Sequence, residues 1–150
     1  MVAGWLERWG RAWRRWAAAA RGGTPNQVLG RWGEMEAAAF LRRKGWKILA
    51  RNVRYGGRLE LDLVARQRRP DTLVFVEVKT SEDERFGRPW SRVNAVKRKT
   101  MAKAAWRYLK RVRRGAGLRR FDVVEVVGPM NGREAPTIRH IENAFQPDEW

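Results

Sequence analysis

Residues 58–80 read RLELDLVARQRRPDTLVFVEVKT, and this stretch decides the fold. In its second half, Thr72 to Thr80, the apolar residues Leu73 to Val76 and Val78 make the β-branched and aromatic run of a strand buried on both faces. Glu77 and Lys79 stand at the end of that run, and alternation along a strand puts both on one face, about 7 Å apart. Such groups are costly to desolvate unless they pair, bind a metal ion or open onto a cleft. The preceding segment, Arg58 to Arg66, alternates: Leu59, Leu61 and Leu63 on one side, Glu60, Asp62 and Val64 on the other. The polar connection Gln67 to Asp71, with Pro70 inside, folds it back antiparallel. With the turn centred near Arg69 and Pro70, Asp62 falls opposite Glu77 and Glu60 opposite Lys79. Two carboxylates so placed repel, and a divalent cation relieves the repulsion.

Composition narrows the chemistry. The chain has 150 residues, no cysteine and one histidine, His140. Disulfides, thiolate metal sites and multi-histidine zinc sites are therefore excluded. A metal held here must be a hard, oxygen-seeking ion such as Mg²⁺ or Mn²⁺. Thirty-three Lys and Arg against sixteen Asp and Glu leave a net charge of +17, which favours a polyanionic partner. The segment Lys97 to Arg120 concentrates this charge, with eleven basic residues and no acidic one. No apolar stretch approaches the roughly 20 residues of a membrane-spanning helix. A cytoplasmic location is expected, with DNA as partner and RNA as the alternative polyanion.

The chain divides into an appendage, 1–23, and a domain, 24–150. Met1 to Ala20 reads as an amphipathic helix with Trp5, Trp9, Trp13 and Trp16 among arginines. It lacks the continuous apolar core of a secretory signal. Capping of the domain, contact with a membrane surface and contact with another protein are its three readings. Thr24 and Pro25 open a helix that Gly45 closes, with Val28, Leu29, Trp32, Met35, Ala39 and Phe40 at helical spacing. Glu34 lies on its small-residue side with Ala37, Ala38 and Leu41. Trp46 to Arg54 reads as a strand joined by Tyr55 to Gly57 to the next. Beyond Thr80, Ser81 to Trp90 is a polar loop whose Trp90 covers the core or stacks on a base. Ser91 to Arg114 follows as a long helix. Its apolar stripe is Val93, Val96, Met101, Ala104, Ala105, Tyr108, Leu109 and Val112, and lysines and arginines cover the remainder. Phe121 to Val127 and Thr137 to Asn143 complete the strands; a lone strand histidine such as His140 is expected to be structural. This order predicts an α/β domain with a mixed β-sheet flanked by helices.

Asp62 with Glu77-Val78-Lys79 matches the PD-(D/E)XK nuclease signature, with Leu61 in place of the usual Pro. The larger set is more specific: Gly33-Glu34, Ala37, Phe40-Leu41, Gly45, Arg51-Asn52, Glu60 to Leu63, Phe75 to Thr80, Phe86-Gly87, Val93, Lys97, Phe121 to Val124 and Asn143 to Phe145. Together these residues resemble the YraN family, bacterial proteins described as endonuclease-like and akin to archaeal Holliday-junction resolvases. The resemblance spans about Gly30 to Phe145 and leaves out the Trp-rich segment. Leu59 stands where the family has Gly, which bears on substrate approach rather than metal binding. The resemblance implies a restriction-endonuclease-like fold and a metal-dependent endonuclease acting on DNA, including branched or single-stranded DNA. It implies catalytic roles for Glu34, Asp62, Glu77 and Lys79 and Mg²⁺ or Mn²⁺ held by Asp62, Glu77, the Val78 carbonyl and Glu34. Lys97 would contact a phosphate, and Arg98, Lys99, Lys103 and Arg107 would follow the nucleic-acid backbone without reading bases. Symmetric junctions would call for a homodimer. The competing expectation is a nucleic-acid-binding module that keeps the fold without catalysis.

Overall fold

The structure is a computed structural model and describes residues 22–83, 94–113, 117–131 and 133–147. The helix expected over Met1 to Ala20, and Phe86, Gly87, Trp90, Val93 and Gly115, lie outside the described residues. The elements run α1 (Pro25–Arg43), β1 (Lys47–Tyr55), β2 (Leu59–Arg68), β3 (Asp71–Ser81), α2 (Ala95–Arg111), β4 (Leu118–Val127) and β5 (Thr137–Phe145). The strands form one sheet in the order β1-β2-β3-β4-β5. Neighbours are antiparallel except β3 and β4, which are parallel. A parallel step needs a crossover, and α2 lies in that crossover. The sheet is mixed, as expected, and the architecture is consistent with a restriction-endonuclease-like fold.

Burial of the two sheet faces by two helices explains the apolar run in β3. On one face, Trp32, Ala37, Ala38 and Leu41 of α1 pack with Leu63, Ala65, Val74, Val76, Val78, Val124 and Val126. On the other, Met101, Ala104, Ala105 and Leu109 of α2 meet Leu61, Val64, Leu73, Phe75, Phe121 and Phe145. Thr24 caps α1 in a capping box with Gln27, and Pro25 starts the helix. Gly33 lets α1 approach the end of β3, because a Cβ there would lie 1.8 Å from Thr80 Oγ1.

Two expectations change. Val96 and Val112 do not join the buried stripe: Val96 is 72% exposed on the side turned from the sheet, and Val112, the C-cap of α2, is also exposed. The alternation in β2 also breaks, since Leu61 packs on the α2 side and Leu63 on the α1 side. Its cause lies at Asp62. The β2–β3 ladder stops at the pair Leu63–Val76, and the Asp62 carboxylate, rather than a backbone carbonyl, accepts the Val78 amide at 2.8 Å. On the other side of β2, Asn52 of β1 adopts a left-handed φ of 49°. The switch of faces falls at this step, between Leu61 and Leu63, and both leucines are buried.

Candidate active site

The same irregularity builds the site. Arg68 pairs with Asp71 across a turn at Arg69 and Pro70, the predicted position. Continued one step, that register sets Asp62 against Glu77, where the strands have parted. Glu77 is 2% exposed. Its Oε1 lies 2.9 Å from Lys79 Nζ and its Oε2 lies 3.3 Å from Lys97 Nζ. Lys97 comes from the first turn of α2, where the Asn94 side chain accepts its amide hydrogen at 3.0 Å, and it also lies 3.6 Å from Glu60 Oε1. Glu60 Oε2 is 3.8 Å from Arg54 Nε. The register expectation of Glu60 beside Lys79 gives way to Glu60 beside Lys97 and Arg54, while Lys79 turns to Glu77.

Within this cluster the strained charge is that of Asp62. Part of Asp62 is reachable by solvent, yet its carboxyl is densely surrounded. Desolvation, then repulsion from Glu77, push its pKa well above the usual aspartate value, against the Val78 amide and Lys97. Lys97 answers in the opposite sense: burial works against its charge, but Glu77, Asp62 and Glu60 outweigh burial and raise its pKa. Glu34 is partly buried, and desolvation raises its pKa despite a hydrogen bond with the Asn52 side chain and the charge of Arg51. The side chain of the left-handed Asn52 thus lies against Glu34, a neighbour that the spacing of the two residues does not indicate.

Among the predicted site residues, Asp62, Glu77, Lys79 and Lys97 come together. Glu34 flanks them, close enough for its charge to be felt at Asp62. Among the described residues, no three His, Cys, Asp or Glu side chains form a ready-made metal cage. The donor set nevertheless fits a hard cation. Glu77 Oε2 is buried without a well-directed hydrogen bond, burial and Glu77 disfavour the Asp62 charge more than the Val78 amide and Lys97 support it, and the Val78 carbonyl leaves β3 on the same edge as the amide that meets Asp62. Leu59 packs against the α2-side core.

The five basic residues predicted to track nucleic acid do not share one face. Lys97 turns inward, with a side chain 23% exposed. Lys99 and Lys103 share an outward ridge with Trp106 and Lys110 at steps of three and four residues. Arg98 and Arg107 lie on its flanks. Trp106 is 44% exposed, with Lys110 Nζ 4.9 Å from its ring. Neither residue belongs to the predicted set; an aromatic inside the lysine stripe was the available signal.

The model of the family described as "Uncharacterised protein family UPF0102" matches residues 33–126. The chain belongs to the UPF0102 family. A UPF0102 protein of Syntrophomonas wolfei is 47% identical over 122 residues, covering 80% of this chain and 99% of that protein. One from Syntrophotalea carbinolica is 45% identical over 122 residues, 81% and 94% of the two chains. UPF0102 protein RB9115 of Rhodopirellula baltica is 41% identical over 145 residues, 94% of this chain and 85% of that protein. Coverage of 94% carries the likeness to this UPF0102 relative into the N-terminal segment, beyond the Gly30 boundary of the motif pattern. Among the described residues, no helix is long and apolar enough to cross a membrane.

Proposed function

We propose that this UPF0102 chain is a Mg²⁺- or Mn²⁺-dependent endonuclease that hydrolyses phosphodiester bonds in DNA, including branched or single-stranded DNA. One observation carries the reading: Asp62 and Glu77 are held close enough to repel, in a gap between strands, with two lysine ammonium groups beside them. Asp62, Glu77 and the Val78 carbonyl would hold the cation, with Glu34 completing its surroundings directly or through water. Bound there, the ion supplies charge against the developing negative phosphate and lowers the pKa of the attacking water. Lys79 orients that water and offsets charge on the pentacoordinate transition state. Arg98, Lys99, Lys103 and Arg107 supply phosphate contacts that follow the backbone without sequence readout. Trp106 adds a ring on which an unpaired base can stack.

The net charge of +17 supports a second reading, a nucleic-acid-binding module without catalysis. Both readings predict salt-sensitive binding, and only the first predicts metal-dependent strand cleavage. The test is cleavage of supercoiled plasmid, branched DNA and RNA of matched length by the wild type and Asp62→Ala, with Mn²⁺, Mg²⁺ or chelator. Metal-dependent products from the wild type alone support the enzyme. Equal products from both proteins, or none with any metal, leave the binding module.

A further inference from the structure

We infer that the Lys97 ammonium is the resident cation of this site, occupying the Glu77 oxygen that a divalent metal must take and competing with it. The inference rests on the metal-binding reading of Asp62 and Glu77. Both oxygens of the buried Glu77 face lysines, yet the two lysines differ in origin. Lys79 sits two residues along the same strand, on the same face, 2.9 Å from Oε1, and β3 holds it there. Lys97 reaches in from another element and stands 3.3 Å from Oε2, the oxygen without a well-directed hydrogen bond. An ammonium at that position does what a metal would do: it offsets the repulsion between Glu77 and Asp62, at the price of one charge where a metal brings two.

The arrangement also offers Lys97 somewhere to go. Glu60 lies 3.6 Å from the same nitrogen with a half-exposed side chain, at the rim of the cluster, and the long lysine stem can carry the charge outward. Displaced from Glu77, the ammonium would lie where a phosphodiester enters. The fold of the site without metal and its loading with metal are thus two uses of one carboxylate oxygen. The metal-free protein keeps Glu77 neutralised from within, and the metal must outcompete a tethered charge.

Direct Mn²⁺ titration by calorimetry, with thermal melts in parallel, tests the inference on the full chain. Lys97→Gln should bind Mn²⁺ about tenfold or more tightly than the wild type. Its melting temperature should be lower without metal and rise further on Mn²⁺ addition, while Lys97→Arg, which keeps the charge, should stay close to the wild type. Should Lys97→Gln fail to fold without metal, Lys97→Met retains the hydrocarbon stem for the same titration. Wild-type binding with equal or weaker binding by the neutral variants would overturn the competition while leaving the metal site standing. Absence of Mn²⁺ binding in every protein would overturn both.

Discussion

Two aspartates flank the central strand β3, and their surroundings treat them in opposite ways. Asp122 lies on β4, in register with Val76, and is fully buried. His140 Nε2 lies 2.7 Å from its Oδ2, Arg120 Nε donates to Oδ1 at 2.8 Å, and the Asn143 amide donates to the same oxygen at 2.9 Å. Burial alone would raise its pKa, but the hydrogen bonds from His140, Arg120 and Asn143 bring it below the usual aspartate value. Lys44 Nζ lies 2.9 Å from His140 Nδ1 and 3.1 Å from Glu142 Oε1, tying the end of α1 to β5. His140 is therefore the structural histidine expected of it. Asp62 on β2 has the Val78 amide and a carboxylate neighbour, and its pKa rises. A satisfied carboxylate is a fastening, whereas a repelled one is the group whose charge a cation would relieve.

Exchanging each charge for an amide should separate the two roles. Asp62→Asn should reduce metal-dependent cleavage on the order of 10³-fold. Asp122→Asn, assayed at a temperature where circular dichroism shows it folded, should cleave at nearly the wild-type rate. Comparable losses in both variants would break the contrast.

Stability should reverse the ranking. Asp122→Asn weakens the hydrogen bonds from Arg120, His140 and Asn143, while Arg120 keeps Glu142 at 3.2 Å, and should cost roughly 1 to 3 kcal/mol in urea unfolding. Asp62→Asn keeps an oxygen for the Val78 amide and removes repulsion, so the metal-free protein should gain on the order of 1 kcal/mol.

Gly33→Ala tests the floor under the site. The added Cβ meets Thr80, so α1 must lift from β3, at about 1 to 3 kcal/mol in unfolding and with reduced cleavage through misplaced Glu34.

The pH dependence of stability sharpens the same comparison, since the two shifts have opposite signs. The raised Asp62 keeps its proton in the folded state where the unfolded chain has lost it. Its contribution therefore weakens the metal-free protein as pH rises from about 4 through the raised value. Asp122, shifted down, contributes stability that is present above about pH 4 and lost as pH falls through its depressed value. Urea unfolding from pH 3 to 7 should show both slopes, and Asp62→Asn should shrink the first to the share of the raised Glu34 while sparing the second. The smallest effect belongs to the outer ridge: Trp106→Ala should change stability by less than about 0.5 kcal/mol while weakening binding of a labelled single-stranded oligonucleotide, read by anisotropy.

Much of the scaffold was legible because its causes are local. The apolar run of β3, the cap at Thr24 and the turn at Arg69 and Pro70 follow from side-chain type and spacing, and the turn alone sets the register that brings Asp62 to Glu77. Alternation put Glu77 and Lys79 on one face without knowledge of any neighbour. Lys97 was legible as a member of a cationic helix, but not as a buried partner of Glu77, because the packing of α2 onto β2 decides which way it points. The roles of Asn52 and Trp106 were hidden for the same kind of reason: a left-handed backbone inside a strand and an aromatic on the outward side of a helix depend on what lies opposite them.

The amino-acid order by itself determined the strands, the hairpin and the pairing of acidic residues, since periodicity and turn chemistry act over a few residues. Only the tertiary structure decided which charges were satisfied and which were left in tension. Desolvation and Coulomb repulsion depend on distances between segments far apart in the chain, and those distances exist only once both helices have closed over the sheet.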